Sequence, residues 1–355
     1  MIALEPPYER RDPSGMTARI ETIPDQIEAQ LARLDGFQWR LPSAPRLIAA
    51  GAMGGSAIAA DLCASLYSDR LPAPLLAVRD YRWPAWAGRG ALALLSSYSG
   101  NTEETLALYD HAGSLGLDRV AMSTGGTLAE SCRRDGVSCA PLPPGSPPRA
   151  AMYAAWVTLT HLLAALGWVD DPGAAWREAA GAVRELNGIL GSAVPEARNP
   201  AKQLARRLAG RPLYIYAAAG PTEPIAARWR QQFNENAKVP GHSAVVPELN
   251  HNEIVGWERA REDATPAAVL LLEDSELAPA VARRLSLTGE YVERQGAEVI
   301  HLAPPAAGRV ARLAWLAAYG DYVSLYLALL RGVDPTSIDS IDEFKQRLGT
   351  ASGRS

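Results

Sequence analysis

Short apolar runs recur along the chain, each ending in a turn rich in Gly, Ser or Pro and followed by a helical pattern. Leu47-Ile-Ala-Ala50 leads into Gly51-Ala-Met-Gly-Gly-Ser56, and Leu75-Leu-Ala-Val78 into a Trp/Pro loop. Ala91-Leu-Ala-Leu-Leu95 leads into Ser97-Tyr-Ser-Gly-Asn-Thr102, and Val120-Ala-Met-Ser123 into Thr124-Gly-Gly-Thr127. Runs this apolar suit strands buried on both faces, and strands alternating with helices pair in parallel. A Pro-rich segment at 141–148 hands over to a helix over about 149–166. After Asn199-Pro200 the rhythm restarts with runs at 213–217, 267–272 and 299–302. The two starts are weakly alike: Ala-Met-Gly54-Gly-Ser-Ala-Ile-Ala-Ala against Ala-Ala-Gly220-Pro-Thr-Glu-Pro-Ile-Ala-Ala.

This pattern predicts an α/β chain with two tandem doubly wound parallel-sheet domains of similar topology. The expected division is a helical segment over 1–40, a first domain over 41–168, a linker helix over 169–200 and a second domain over 201–335. A C-terminal helix and tail complete it over 336–355, with the helix near 341–348 and 349–355 frayed. Two apolar stretches need separating from membrane spans. The one at 154–169 is too short and carries His161; the one at 310–330 is interrupted by Arg312 and Asp321, costly at a bilayer centre. Both are read as buried core helices. The net charge of −4 gives no support to nucleic acid or an anionic membrane as partner. Cys63, Cys132 and Cys139 show no metal-ligand spacing and are read as reduced thiols, and the N-terminus shows no apolar signal-peptide core; both point to the cytoplasm.

The turn after the third run carries the chemistry. Ser97, Ser99, Thr102 and Thr105 fall within nine residues, with no lysine or arginine among them. Ligands of parallel sheets gather at the carboxyl ends of the strands, where helix N-termini offer free N–H groups and a partial positive charge. Hydroxyls add neutral donors, so a phosphate dianion can be held there without a cation. Ser56, heading the helix after the first run, adds a donor from a neighbouring strand end. The plainer reading is a capping box, Asn101 with Glu104 three residues on. Glu103 and Glu104 must point away from any anion. A dinucleotide site fits poorly: Gly51, Gly54 and Gly55 miss the G-x-G-x-x-G spacing, Asp80 comes too late, and no P-loop lysine exists.

Gly54-Gly-Ser56 after a strand, followed by Ser97-Tyr-Ser99-Gly-Asn-Thr102-Glu-Glu-Thr105, resembles the sugar isomerase (SIS) domain. Further stretches together resemble the bifunctional phosphoglucose/phosphomannose isomerase family, a tandem-SIS group of the phosphoglucose isomerase superfamily. They are Asp12-Pro-Ser-Gly-Met16, Pro147-Pro-Arg149-Ala, Asn234-Glu-Asn-Ala-Lys238, Pro247-Glu-Leu-Asn-His251-Asn-Glu253 and Asp334-Pro-Thr followed by Ile341-Asp-Glu-Phe-Lys345. The likeness covers about residues 10–348. It implies flavodoxin-like sheets, a phosphosugar substrate and no cofactor. By the same resemblance Gly55, Ser56, Ser97, Ser99 and Thr102 match the phosphate site, and Glu235 the proton-transferring base. His251 and Lys345 match the ring-opening groups, with His251 reaching in from the partner of a homodimer. Arg149 matches the arginine over the C1–C2 region.

The chemistry needs these residue types. An aldose–ketose isomerase opens the sugar ring, then moves one proton between C2 and C1 through a cis-enediol. Histidine titrates near neutrality and suits one ring-opening step; lysine serves the other as cation or as base. One carboxylate can shuttle the C–H proton, and an arginine can steady the enediolate. On the residues alone each has a plain alternative. Glu235 is a solvated helix residue, Asn234 and Asn236 cap or turn, His251 sits in a loop, Arg149 starts a helix, and Lys345 is a surface lysine. His111, His161 and His301 are read as structural. For the mannose epimer a hydroxyl near Lys345 is expected, and Thr336, Ser337 and Ser340 compete around Ile338. A non-catalytic phosphosugar sensor is the alternative function, or an isomerase of another phosphosugar. A sensor predicts a missing base or histidine and a DNA-binding segment, whereas Glu235 and His251 are present.

Overall fold

A computed structural model of the chain describes residues 3–41, 44–262, 264–305 and 307–352. Helices α1 (Met16–Glu21) and α2 (Ile23–Leu34) precede a first sheet. Its strands are β1 (Leu47–Ala52), β2 (Leu75–Val78), β3 (Ala91–Ser96), β4 (Asp118–Ser123) and β5 (Ser138–Pro141). Between them run α3 (Gly54–Leu66), α4 (Glu103–Ser114) and α5 (Gly126–Asp135). Then come α6 (Met152–Ala165), α7 (Gly173–Leu190) and α8 (Pro200–Leu208). The second sheet holds β6 (Leu213–Ala218), β7 (Gly241–Val246), β8 (Ala268–Leu272) and β9 (Glu298–Leu302), with α9 (Glu223–Glu235) and α10 (Pro279–Arg294). Helices α11 (Arg309–Arg331) and α12 (Asp339–Ser352) follow.

All pairings are parallel. The first sheet has the order β2-β1-β3-β4-β5 and the second β7-β6-β8-β9. Every residue of β1, β3 and β8 is buried, as their unbroken apolar sequences require of central strands covered on both faces. Gly51 pairs with Leu95 and Ala52 with Ser96, so β1 and β3 end level at the point where the strand order reverses. One continuous apolar core joins side chains of β1 and β3 to those of β6 and β8. Helix α11 lies at its centre, packed on α7, α8 and α9. By length and composition α11 could cross a membrane, but 89% of its most apolar window is buried in protein.

The sequence reading missed β5 and β7. Both are edge strands. β5 has only four residues and ends in proline, while β7 opens Gly-His-Ser, so neither carries an apolar run. The linker helix expected over 169–200 is α7, which stops at Leu190 with Gly191 as its C-cap; a 3-10 turn at Glu196–Arg198 follows, and α8 then starts where the Asn199 side chain accepts from the N–H groups of Ala201 (3.0 Å) and Lys202 (3.1 Å). The expected helix over 149–166 opens as a 3-10 turn at Pro148–Ala151. Instead of fraying from residue 349, α12 continues to Ser352; residues 353–355 lie outside the described part.

Candidate active site

Helices α3 and α4 start at adjacent strand ends, and neither has a side-chain cap; their N-cap residues are Met53 and Thr102. The capping box expected of Asn101 and Glu104 does not form. Asn101 instead turns its Oδ1 to the next loop, accepting from the N and Oγ1 of Thr127, each at 3.0 Å. The loop is held by its own hydroxyls. Ser97 Oγ lies 2.8 Å from Thr102 Oγ1 and accepts from Gly100 N at 3.1 Å, while Ser99 Oγ accepts from Asn101 N at 3.2 Å. Gly100 has a left-handed backbone (φ 72°), and a Cβ there would sit 1.8 Å from the Gly125 carbonyl oxygen, so only glycine fits. The result is two helix starts without side-chain caps at neighbouring strand ends, offering hydroxyls and backbone N–H groups, chemistry suited to an anion. Ser97 is buried, Thr102 and Ser56 are half-buried, and Ser99 is exposed.

This loop and the start of α3 each reach the segment that carries Arg149. Tyr98 OH donates to the Pro143 carbonyl (2.8 Å) and accepts from Ser146 N (2.9 Å), anchoring the Pro-rich segment that runs to Arg149. Gly55 packs on that segment's end: a Cβ would lie 3.2 Å from Pro148 O and 3.4 Å from Arg149 Cα. The start of α3 therefore abuts the backbone that carries Arg149.

Arg149 is buried, and Glu235, the last residue of α9, is half-buried with Oε2 3.4 Å from Arg149 Nη1. The guanidinium also donates through Nε to Asn236 Oδ1 (2.8 Å) and through Nη2 to the carbonyls of Pro335 and Thr336 (3.0 Å for the latter). Burial pushes its pKa down, opposed by the charge of Glu235. Lys238 Nζ, also half-buried, donates to the carbonyls of Glu235 (2.8 Å), Asp334 (2.7 Å) and Ser337 (2.8 Å). Its pKa is lowered, first by burial and then by Arg149. A cavity of about 380 Å³ opens beside Glu235, lined among others by Lys238, Ser337, Ile338 and Ser340. Thr336 Oγ1 is buried without a hydrogen-bond partner. A larger cleft of about 560 Å³ lies between α2, α6 and α7, but it holds none of these groups.

The structure thus brings Glu235 and Arg149 together and leaves His251 and Lys345 apart from them. His251 is exposed in a loop pinned by its neighbours: Asn250 donates to Thr288 Oγ1 (2.8 Å), Asn252 to Glu248 (2.9 Å), and Glu253 meets His242 Nε2 (2.8 Å) and the Tyr216 hydroxyl. No hydrogen bond or ion pair joins His251 to Glu235, Arg149 or Lys345. Lys345 is exposed on α12, with Nζ 3.9 Å from Asp342 Oδ1. Sequence reasoning gave Asn236 only a capping or turning part and Lys238 none, although both lie in the Asn234–Lys238 stretch that carries the resemblance.

A parallel sheet that offers hydroxyls and helix N-termini at its switch point has the chemistry to hold an anion there without a lysine. The fold is shared with the crystal structure of tagatose-6-phosphate ketose/aldose isomerase from Escherichia coli, on which the chain superposes with a TM-score of 0.69 and 16% identity, over 90% of this chain and 94% of that one. The family model of the bacterial phospho-glucose isomerase C-terminal SIS domain matches residues 197–348. A bifunctional phosphoglucose/phosphomannose isomerase of Caldicellulosiruptor bescii is 34% identical over 335 residues, 94% of this chain and 98% of the relative. One of the same description from Aquifex aeolicus is 31% identical over 83% of this chain and 88% of its own length. The chain belongs to the bifunctional phosphoglucose/phosphomannose isomerase family.

Proposed function

We propose that this enzyme interconverts glucose 6-phosphate, and mannose 6-phosphate, with fructose 6-phosphate through a cis-enediol, with Glu235 as the base and no cofactor. The observation that carries the reading is the pairing of Glu235 with a buried arginine whose backbone abuts the uncapped start of α3. The first unit, 41–168, binds the phosphate; the second, 201–335, lends the base. The N–H groups opening α3 and α4, with Ser56, Ser97, Ser99 and Thr102, hold the phosphate dianion. Glu235 takes the proton from C2 of the aldose and returns it to C1. The Arg149 guanidinium faces the enediolate oxygens and steadies the charge that develops there. Ser337 and Ser340, lining the cavity beside Glu235, supply hydroxyls near the carbon at which the two aldoses differ.

Ring opening uses Lys345 and a His251 supplied by a second copy of the chain. In favour of a homodimer, the His251 side chain is exposed and has no partner among the described residues, and α12 exposes Ile341 (41%), Phe344 (69%) and Leu348 (53%) along one side. The three free thiols and the net charge of −4 fit work in the cytoplasm away from nucleic acid and membranes. The test is a coupled assay on glucose 6-phosphate and mannose 6-phosphate side by side, with Glu235→Gln as the control. Loss of the base should lower kcat by about 100- to 10,000-fold and leave fructose 6-phosphate binding nearly intact. Unchanged turnover in that variant removes the assignment.

A further inference from the structure

We infer that Asn236 is a positioning residue for the proton transfer, holding Arg149 in the orientation that serves Glu235, and that Ser324 fixes Asn236 in turn. The inference rests on the reading of Glu235 and Arg149 given above. Asn236 follows Glu235 at the end of α9 and is fully buried. Its Oδ1 accepts from Arg149 Nε at 2.8 Å, and its Nδ2 donates to Ser324 Oγ at 3.0 Å. Ser324, also fully buried, donates its own proton to the Asp321 carbonyl at 2.9 Å.

These bonds admit one arrangement. Arg149 Nε can only donate, so the amide must present its oxygen to it. The amide nitrogen then needs an acceptor, and Ser324 offers a lone pair because its proton is already engaged on α11. The chain of bonds runs on into a buried cluster, where the Asp321 carboxylate accepts from Arg228 Nη2 (2.9 and 3.1 Å), Gln232 Nε2 (2.7 Å) and Tyr153 OH (3.1 Å). The direction of the Arg149 fork is therefore set by the core. Asn236 takes the Nε of the guanidinium and adds no charge, so that among the described residues Glu235 is the carboxylate paired with this cation.

The variant that exposes this is Asn236→Asp. It keeps an acceptor for Nε, puts a second carboxylate on Arg149 and removes the donor to Ser324. The charges already around Glu235 are Arg149 from the turn before α6, Arg228 on its own helix, Lys238 just beyond it, Asp334 from the loop before α12 and Asp339 from the first turn of α12. An added carboxylate offsets the cations that would face the developing enediolate. The expected result is a fall in kcat of about 10- to 100-fold, as for a misplaced catalytic group, with KM within about threefold. Ser324→Ala, which touches neither Arg149 nor Glu235, should lower kcat about 3- to 10-fold, as for loss of one buried hydrogen bond, and Ser324→Thr should restore it. A residue that only packs the core would lower the melting temperature and leave kcat per folded molecule unmoved; that outcome overturns the inference. If the wild-type chain turns over neither sugar, the reading of Glu235 fails by itself. Calorimetry with a phosphorylated aldonate, whose carboxylate pairs with Arg149 as an enediolate would, then judges Asn236. Affinity weakened about tenfold by Asn236→Asp, the cost of one hydrogen bond to a charged group, sustains it, and equal affinity refutes it.

Discussion

Replacing Ser97 by alanine separates grip from chemistry. The side chain is 2% exposed, and its oxygen accepts from Gly100 N at 3.1 Å and Thr102 N at 3.4 Å while meeting Thr102 Oγ1 at 2.8 Å. The substitution carries two costs. Losing one hydrogen bond to a phosphate dianion costs about 1.5–3 kcal/mol. Loosening the loop costs less: Gly100 N also donates to the Ser97 carbonyl at 3.2 Å, and the Thr102 contact is already long. The ligand contact dominates, so KM for fructose 6-phosphate should rise about 10- to 100-fold, at about 1.4 kcal/mol per decade. The phosphate is gripped alike in ground and transition states, so kcat should stay within about threefold. Initial-rate kinetics measure both, and inhibition by inorganic phosphate should weaken in parallel. Ser99→Ala is the internal comparison: its exposed oxygen holds only Asn101 N, and KM should move about threefold. A wild-type KM in Ser97→Ala, or a collapse of kcat at constant KM, refutes a phosphate held at this strand end.

If His251 acts across subunits, mixing Glu235→Gln and His251→Ala chains under exchange conditions should restore part of the activity that each lacks; mixtures as inactive as their parents would refute a shared site. Asp321→Asn leaves Arg228, 1% exposed, without its counter-charge, and should lower unfolding stability by about 3–5 kcal/mol in denaturant titrations. A loss below about 1 kcal/mol would show the pair is not buried as described. Burial lowers the pKa of His161, with Asp171 opposing, while its Nδ1 accepts from Trp39 Nε1 at 3.0 Å. The unfolded chain then binds that proton more readily, so stability is level above the ordinary histidine value near 6.5 and falls as pH drops through it. His161→Asn, which keeps an acceptor for Trp39, should lose less stability between about pH 7 and pH 5; equal losses refute it.

The central strands and the hydroxyl loop were legible because each depends on a local pattern. A strand buried on both faces must be apolar throughout, and β1, β3 and β8 are. The edge strands β5 and β7 take their place from hydrogen bonds to a neighbour, which leave little trace in composition. At the site, the resemblance pointed to Glu235 and Arg149, but their pairing joins residues 86 positions apart in number, and no periodicity reports that. Asn236 and Lys238 were opaque for a different reason. Their roles are hydrogen bonds to α11 and to the carbonyls of Asp334 and Ser337, partners 88 to 99 positions further along the chain that local sequence does not report.

That packing also explains how a cation can stand beside Glu235 without being neutralised. Four successive carbonyls, Asp334 to Ser337, meet two cations: Lys238 takes the outer pair and Arg149 the inner. Lys238 reaches them from a left-handed backbone (φ 55°), a conformation costing a residue with a side chain about 1–2 kcal/mol. The one nearby loop carboxylate, Asp334, turns its Oδ1 to Thr336 N at 2.8 Å rather than to either cation. Carbonyl dipoles thus satisfy the donors of both groups and leave their charge in place, in a site where burial strengthens it. A carboxylate here would tie the halves together at least as firmly, but it would cancel the positive field that an enediolate needs. Neutral acceptors at this joint let one feature hold Arg149 against the loop before α12 and, on the function proposed above, still leave its charge for the enediolate.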